Sequence, residues 1–491
     1  MYKETIQSKS LGWGLAKLAG MACVVAAAGW GAQALGIAQT QQAVVSVCTF
    51  IGVICTTLLF WTHRVAAAFL GVAVLIGTRT MTLHGLLHAT ELDIIFFLIG
   101  MMIIVGVLKD MGFLTWVIQS VVNRKAMTGA SFTLILCVLS AVLASVMDEV
   151  SSIVVVLALV FQVCDTLKVK PAPFVLIAVL CTNIGSAATM LGNPVGIFIG
   201  NKAGFTFNQF LTEATPIALV SLIAAIGVIL FWFRKPIREM TGRLALHREN
   251  HRGLGPPIRI PYRRGLCVLT VTVLVIAFHH QIETALGLTG EANRNAFLIV
   301  TPLIIAGILM ICRPRRARDY VQNDVEWWTL LFFMLLFAIA GSLREQGITH
   351  NVAAKLSGWV NGEPPAMVPF VLAISAIGSA FVDNIVFVAA FTPVVQLLVS
   401  QSADFSILWW ALLFGACFGG NITVVGSTAN MIAMGLLEKR ARIQIPFREW
   451  ISIGALIGLI TTLIAWGMLS VMPTQIPAAR PDADVTAESQ P

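Results

Sequence analysis

Asp148 and Asp383 each stand in the middle of an apolar stretch, SAVLASVMDEVSSIVVVLAL and SAIGSAFVDNIVFVAAFTPVV, 235 residues apart. A carboxylate deep in a bilayer is energetically costly, so each marks a candidate functional group. Glu149, Ser151 and Ser152 follow the first, and Asn384 follows the second. Two other apolar stretches are interrupted by polar, glycine-rich runs. One runs from Thr182-Asn183-Ile184-Gly185-Ser186 through Gly192-Asn193-Pro194, the other from Gly419-Gly420-Asn421-Ile422-Thr423 through Gly426-Ser427-Thr428-Ala429-Asn430. Carboxylate, hydroxyl, amide and freed carbonyl oxygens together make a hard site suited to Na⁺. Alternatively, one aspartate carries H⁺. Where glycine and proline unwind a helix, its new N-terminus favours an anion and its C-terminal carbonyls a cation. The plainer readings are that each aspartate caps a half-helix and that the glycines pack helix on helix.

Those side chains need elements that can hold them in lipid. The chain is 57% hydrophobic and 11% charged over 491 residues, with a mean hydropathy of +0.87. Too few charges remain to cover a water-facing surface, and many apolar stretches are long enough to cross about 30 Å of hydrocarbon. An all-α polytopic membrane protein follows. The expected spans are 15–36, 43–61, 65–77, 93–108, 174–195, 216–233, 265–282, 295–312, 328–343, 407–437 and 451–472. The blocks 130–163 and 366–400 each break at their aspartate and read as re-entrant hairpins, which leaves eleven crossings.

Charge orients them. The loop 234–264 carries Arg234, Lys235, Arg238, Arg243, Arg248, Arg252, Arg259, Arg263 and Arg264 against Glu239 and Glu249. The positive-inside rule places it in the cytoplasm. With the hairpins entering and leaving on one side, Lys109, Arg124, Lys125, Lys168, Lys170, the run Arg313-Pro314-Arg315-Arg316-Ala317-Arg318 and the Lys439/Arg440/Arg442/Arg448 cluster also fall inside. The loops 37–42, 78–92, 196–215 and 283–294, poor in Lys and Arg, fall outside. This expects an N-terminus inside and a C-terminus outside, in the plasma (inner) membrane. The basic runs are topology signals, and no nucleic-acid partner is expected despite the net charge of +8.

The sequence repeats. Residues 91–112 (ELDIIFFLIGMMIIVGVLKDMG) align without a gap to 326–347 (EWWTLLFFMLLFAIAGSLREQG), and the same offset carries Asp148 onto Asp383. After a small gap, TNIGSAATMLGNPVG (182–196) corresponds to GNITVVGSTANM (420–431). An odd number of crossings separates the copies, so they run oppositely. Inverted repeats with broken helices are the architecture of secondary transporters. The organisation expected is an N-terminal helix in 1–42, a first repeat in 43–233 with hairpin 130–163 and a basic linker in 234–264. A second repeat in 265–472 with hairpin 366–400 follows, then a disordered tail in 473–491.

Other residues carry less. His84 and His88 have metal-ligand spacing but no third ligand; His279, His280 and Glu283 stand at a helix end, where polar groups reach the interface. Asp93, near the start of a span, reads as an interfacial or packing residue. Nine cysteines in mostly apolar segments, without a CxxC pair, give no disulfide framework. Ala32-Gln33-Ala34 resembles a signal-peptidase site, although a retained first helix is expected. No nucleotide-binding GxxxxGK[ST] loop is present, which disfavours a primary pump; an associated ATPase subunit would leave no trace in this sequence. A membrane aspartyl protease would need a GxGD context, whereas Ala380-Phe381-Val382 precedes Asp383.

The motifs FVDNIVFVAAFTPVV (381–395) and GACFGGNITVVGSTANMIAMGLLEK (415–439) resemble the ion transporter superfamily, in particular the ArsB/NhaD group that includes the P proteins. VMDEVSSIVVV and NIGSAATMLGNPVG extend the likeness to the first half. The resemblance implies a scaffold, a mobile transport domain, elevator-like alternating access and a homodimer. It places the site on Asp148, Asn183, Asp383, Asn384, Asn421 and neighbouring Ser, Thr and Gly. With the residue reading this gives an ion and substrate site of Asp148, Glu149, Ser151, Asn183, Ser186, Asn193, Asp383, Asn384, Asn421, Thr423, Ser427 and Asn430. Na⁺ would fall to Asp148, Asn183, Asp383 and Asn421. The chain departs from the pattern in having Asp148-Glu149 where Asp-Asn is frequent, and Gly192-Asn193-Pro194 where Gly-Asp-Pro is frequent. Na⁺/H⁺ antiport is the expected activity, with an arsenite or di/tricarboxylate permease of the same fold as the alternative. The coupling ion is Na⁺ or H⁺, no other cofactor is expected, and the protein is not expected to be an enzyme.

Overall fold

A computed structural model describes residues 2–60, 63–122, 127–249, 262–285, 296–359 and 364–472. Arg124, Lys125, Arg252, Arg259, residues 286–294 of one expected loop and the tail 473–491 lie outside them. The described residues form helices and connecting turns throughout.

The chain divides into two compact units, each drawing on both halves of the sequence. The first holds α1 (Tyr2–Ala34), α2 (Gln41–Leu59), α3 (Arg64–Gly77) and the short α4 (Leu83–Ala89). The second begins with α5 (Leu92–Asp110), α6 (Phe113–Val122), the pair α7 (Gly129–Val146) and α8 (Glu149–Leu167), α9 (Ala172–Ser186) and α10 (Pro194–Ala203). It continues through α11 (Thr215–Trp232), α12 (Arg234–Glu249), α13 (Arg263–Ala277), α14 (His279–Ala285) and α15 (Ala296–Cys312). Then α16 (Trp327–Glu345) and α17 (Ile348–Trp359) return to the first unit, and α18 (Pro364–Phe381) to the second. α19 (Asn384–Gln401) is shared, and α20 (Leu408–Gly419), α21 (Thr428–Ala441) and α22 (Phe447–Val471) complete the second unit.

Among the described residues eight helices have the length and apolarity to cross a bilayer, or nine if α13 and α14, bent by 60°, form one broken span. Five of the eight are expected crossings and three are the hairpin arms α7, α8 and α19; of the other expected crossings, three are reshaped. The span 174–195 stops as a helix at Ser186, the span 407–437 is divided into α20 and α21, and 265–282 bends at Phe278. In each case hydropathy stays high through residues that do not continue the helix. The arms α7, α8 and α19 have 18, 19 and 18 residues. At 1.5 Å per residue each is about 27 Å long, enough to reach across the hydrocarbon by itself.

Helix starts recur at a fixed offset. α5 and α16, α6 and α17, α7 and α18, and α8 and α19 each begin 235 residues apart. Gly112 and Gly347, at the same offset, both hold positive φ (76° and 71°), where a side chain would be strained. Pairings follow the rule too. In the second unit a Cβ on Gly106 would lie 2.7 Å from the Asp324 carboxylate; in the first, one on Gly341 would lie 2.4 Å from Ala89. One turn further on, Tyr320 donates to Asp110 (2.8 Å) in the second unit, while Glu345 lies against Gly85 in the first. The element before α16 thus packs on α5, and the one before α5 packs on α16. Arg313 and Arg316 also bind Asp110, the latter at 2.8 Å, and hold the chain after α15 on the end of α5. Beyond the membrane, Tyr320 and Asp110 keep the Arg313 guanidinium more firmly charged than usual.

Candidate functional site

Four helices begin in the interior of the second unit, and each starts on a residue singled out by the sequence. Asp148 caps α8, accepting from Ser151 N–H at 2.8 Å. Asp383 caps α19, accepting from Ile385 N–H at 3.2 Å. Asn193 caps α10, accepting from Gly196 N–H at 2.7 Å, and Ser427 caps α21, accepting from Ala429 N–H at 3.2 Å. In a buried interior these caps satisfy donors that would otherwise be stranded. The plain reading of the aspartates as caps is therefore correct, and the caps also converge.

Glu149 joins them. Ser427 Oγ donates to Glu149 Oε1 at 3.4 Å, Asn384 lies beside the same carboxylate and accepts from Ile385 N–H at 2.8 Å, and Asp383 and Asp148 both act on Glu149 electrostatically. Thr428 Oγ1 donates to Asp383 Oδ2 at 2.5 Å. Asp148, Glu149 and Asp383 are 5%, 2% and 2% exposed, so three acidic groups share one buried region. Beside them the asparagines form a second layer. Asn183 Nδ2 donates to Asn421 Oδ1 (2.9 Å) and to Asn430 Oδ1 (2.8 Å), joining the two broken segments directly. Asn430 in turn donates to the carbonyls of Gly420 (2.7 Å) and Thr423 (2.9 Å). Asn193 donates to Ser186 Oγ (2.8 Å) and to Cys417 Sγ (3.1 Å), and Trp450 Nε1 to the Asn421 carbonyl (3.2 Å).

The breaks mirror each other. Thr189 Oγ1 donates to the Ser145 carbonyl at the end of α7, and Thr423 Oγ1 to the Ala380 carbonyl at the end of α18. Each threonine oxygen also accepts from the N–H two residues on, at 3.2 Å in both copies. Close helix approach repeats as well. A Cβ on Gly185 would come within 2.3 Å of Ala141 Cα, and one on Gly419 within 2.4 Å of Ala376 Cα. These glycines let α9 lie on α7, and α20 on α18, at backbone contact.

All twelve sequence-selected residues thus fall in one unit, and the structure links every one into this network. Among the described residues, Asp148 Oδ2, Glu149 Oε2, Thr182 Oγ1 and Asn183 Oδ1 are buried oxygens without a hydrogen-bond partner, as is Asn421 Nδ2. Buried polar groups are rarely left unpaired, and unpaired oxygens beside carboxylates suit a cation. Thr428, Cys417 and Trp450 were not selected. Thr428 stands within the polar Gly426–Asn430 run, whereas Cys417 and Trp450 carry no signal beyond apolarity. Asp93 accepts from Asn201 Nδ2 at 2.6 Å in a packing contact. His279 and Glu283 correct the expectation of an interfacial pair, because both are buried. His279 Nδ1 pairs with the Ile276 carbonyl (2.8 Å), and Glu283 accepts from Phe297 N–H (2.9 Å) at the start of α15. Among the described residues no three His, Cys, Asp or Glu side chains gather closely enough to hold a metal ion between them, so a cation here would also need neutral oxygens.

Helices of bilayer length whose internal breaks converge on a buried polar centre define the class: an integral membrane transporter. The citrate transporter family (CitMHS) matches residues 50–415, and the chain belongs to that family. An uncharacterized transporter of Mycobacterium tuberculosis is 31% identical over 419 residues, covering 82% of this chain and 92% of its own. The P protein of Mus musculus is 25% identical over 500 residues, covering 86% of this chain and 59% of its own length. Among solved structures, the YdaH transporter of Alcanivorax borkumensis aligns over 78% of this chain and 85% of its own, at 15% identity and a TM-score of 0.48. The family and the relatives are transporters, and the internal repeats suit a secondary transporter.

Proposed function

We propose that the chain exchanges Na⁺ for H⁺ at the convergence of α8, α10, α19 and α21. The observation that carries this reading is the burial of Asp148, Glu149 and Asp383 in one region, where Asp148 and Asp383 both act on Glu149 electrostatically. The buried basic side chains among the described residues are Arg64, in the first unit, and His279, on α14; neither lies on an element of the site. Three carboxylates in one low-dielectric region cannot all stay charged without a counter-ion, so protons or a metal cation must take that role. Na⁺ binding at Asp148, Asp383 and the oxygens of Asn183 and Asn421 would release protons, and their return would release Na⁺. In this reading α7–α8 and α18–α19 are re-entrant hairpins and the eleven-crossing topology holds. The protein is a homodimer in the inner membrane, N-terminus inside, and the transport unit moves as an elevator.

ΔpH-driven ²²Na⁺ uptake into proteoliposomes tests the proposal. Asp148→Asn and Asp383→Asn should each lower it on the order of a hundredfold, taking about 3 kcal/mol for removal of one member of a buried charge group. Undiminished flux in both variants would sink the exchanger. One observation favours a second reading. α10 and α21 begin on uncharged caps, Asn193 and Ser427, and such N-termini attract anions. With the citrate transporter family description, this supports a di- or tricarboxylate, or arsenite, as cargo. Uptake of such an anion driven by a Na⁺ or H⁺ gradient, with no Na⁺/H⁺ exchange when the anion is absent, would favour it over exchange.

A further inference from the structure

α12 follows the crossing helix α11 with one intervening residue, and it is amphipathic. Ile237, Met240 and Leu244 form a buried row, while Arg234, Lys235, Arg238 and Arg243 are exposed. The buried row packs against α7 and α8. Contact is closest at Gly129, the first residue of α7. Gly129 N–H donates to Thr241 Oγ1 at 3.0 Å, and a Cβ there would come within 2.1 Å of the Ile237 carbonyl. α12 is therefore seated on the base of the hairpin whose tip carries Asp148. None of the four basic residues forms an ion pair among the described residues. Lys168 and Lys170, exposed just beyond α8, add to the charge at the open end of the same hairpin. At the junction with α11, Phe231 and Trp232 are exposed, and the Arg234 guanidinium lies over the Phe231 ring at 5.4 Å. Aromatic side chains at a helix end mark the headgroup level, so the basic face begins where headgroups begin.

We propose that the exposed face of α12 binds the headgroups of anionic lipids in the adjoining leaflet, and that bound lipid steadies the base of the first hairpin through Thr241 and Gly129. A basic amphipathic helix at that depth has the complementary charge, and each near-surface Lys or Arg raises affinity about fivefold. Neither the cargo nor the exchange mechanism enters this argument.

The test compares the full-length wild type with K235Q/R238Q/R243Q in detergent and in nanodiscs of phosphatidylcholine with or without phosphatidylglycerol. Native mass spectrometry should show preferential retention of phosphatidylglycerol by the wild type, falling on the order of a hundredfold in the triple variant. The conservative K235R/R238K/R243K chain should keep it, and added salt should weaken it. In hydrogen exchange, phosphatidylglycerol should slow both 234–247 and 128–133 in the wild type and neither in the triple variant. Equal retention of the two lipids, or a triple variant matching the wild type, overturns the proposal. Slowing by inorganic phosphate alone would assign a free-phosphate site, and slowing by an acidic peptide without lipid would assign a protein partner; either excludes the lipid face. Protection of 234–247 with 128–133 unchanged would refute the link to the hairpin.

Discussion

Asp148 divides its work between two oxygens. Oδ1 is committed to the Ser151 N–H that starts α8, while Oδ2 is buried and unpartnered. Capping and ion binding can therefore be separated by substitution. Asparagine caps a helix as well as aspartate does. Asp148→Asn should thus keep the thermal midpoint near wild type while lowering cation flux on the order of a hundredfold. Asp148→Ala should lose both, with about 1 kcal/mol less stability on top of the lost flux. Equal melting of the two variants would show that the cap contributes nothing. Across the site, Asp383 is held differently, because Thr428 donates to its Oδ2. Thr428→Val removes that donor and leaves the carboxylate in place. The expected outcome is a several-fold change in apparent Na⁺ affinity with maximal flux retained, read from flux against Na⁺ concentration. An unchanged affinity would place Asp383 outside the ion's contacts.

At the scale of elements, the two tips and two breaks are positioned by helix approach more than by polar bonds. Alanine at Gly185 or Gly419 would drive a methyl group into the backbone of Ala141 or Ala376, neither of which can move without its whole helix. Each substitution should cost about 1–3 kcal/mol by overpacking, seen as a lower unfolding midpoint. Gly227→Ala, where nothing lies within 4 Å, is the control and should be neutral or stabilising. Much of this arrangement was legible in the sequence. Aspartates in lipid-depth segments and clustered Gly and Asn announce themselves by cost and by composition, and the matched offset tied them into pairs. What was not legible depends on distance through space. Nothing local to Gly185 names Ala141 as its neighbour, and Cys417 looked like one more small apolar residue until Asn193 was found to donate to it. Hydropathy also ran straight through Ala187–Leu191 because those residues are apolar or small, although the helix ends before them. His279 and Glu283 misled for the converse reason. Polar residues near a span end ordinarily reach water, but here the bend at Phe278 buries both.

For the whole molecule, the repeat makes a claim that neither residues nor elements test. Helix starts, positive-φ glycines and close glycine contacts recur 235 residues apart, and copies related in this way can cross the bilayer in the same or in opposite directions. The charge bias chooses opposite directions. Lys168 and Lys170 follow α8, whereas the residues after α19, Ser402-Ala403-Asp404, carry no positive charge. By the positive-inside rule the far end of α8 is expected to face the cytoplasm and the far end of α19 the other side. Thr166 and Gln401, 235 residues apart and both exposed, report these two ends. In a chain whose nine native cysteines are replaced, single cysteines at these positions can be challenged in intact cells with a membrane-impermeant maleimide. Thr166→Cys should react only after permeabilisation, and Gln401→Cys before it. Labelling of both from the same side would make the copies parallel. Asp148 and Asp383 would then approach the site from one direction, and a repeat exchanging inward-facing and outward-facing roles could no longer account for alternating access.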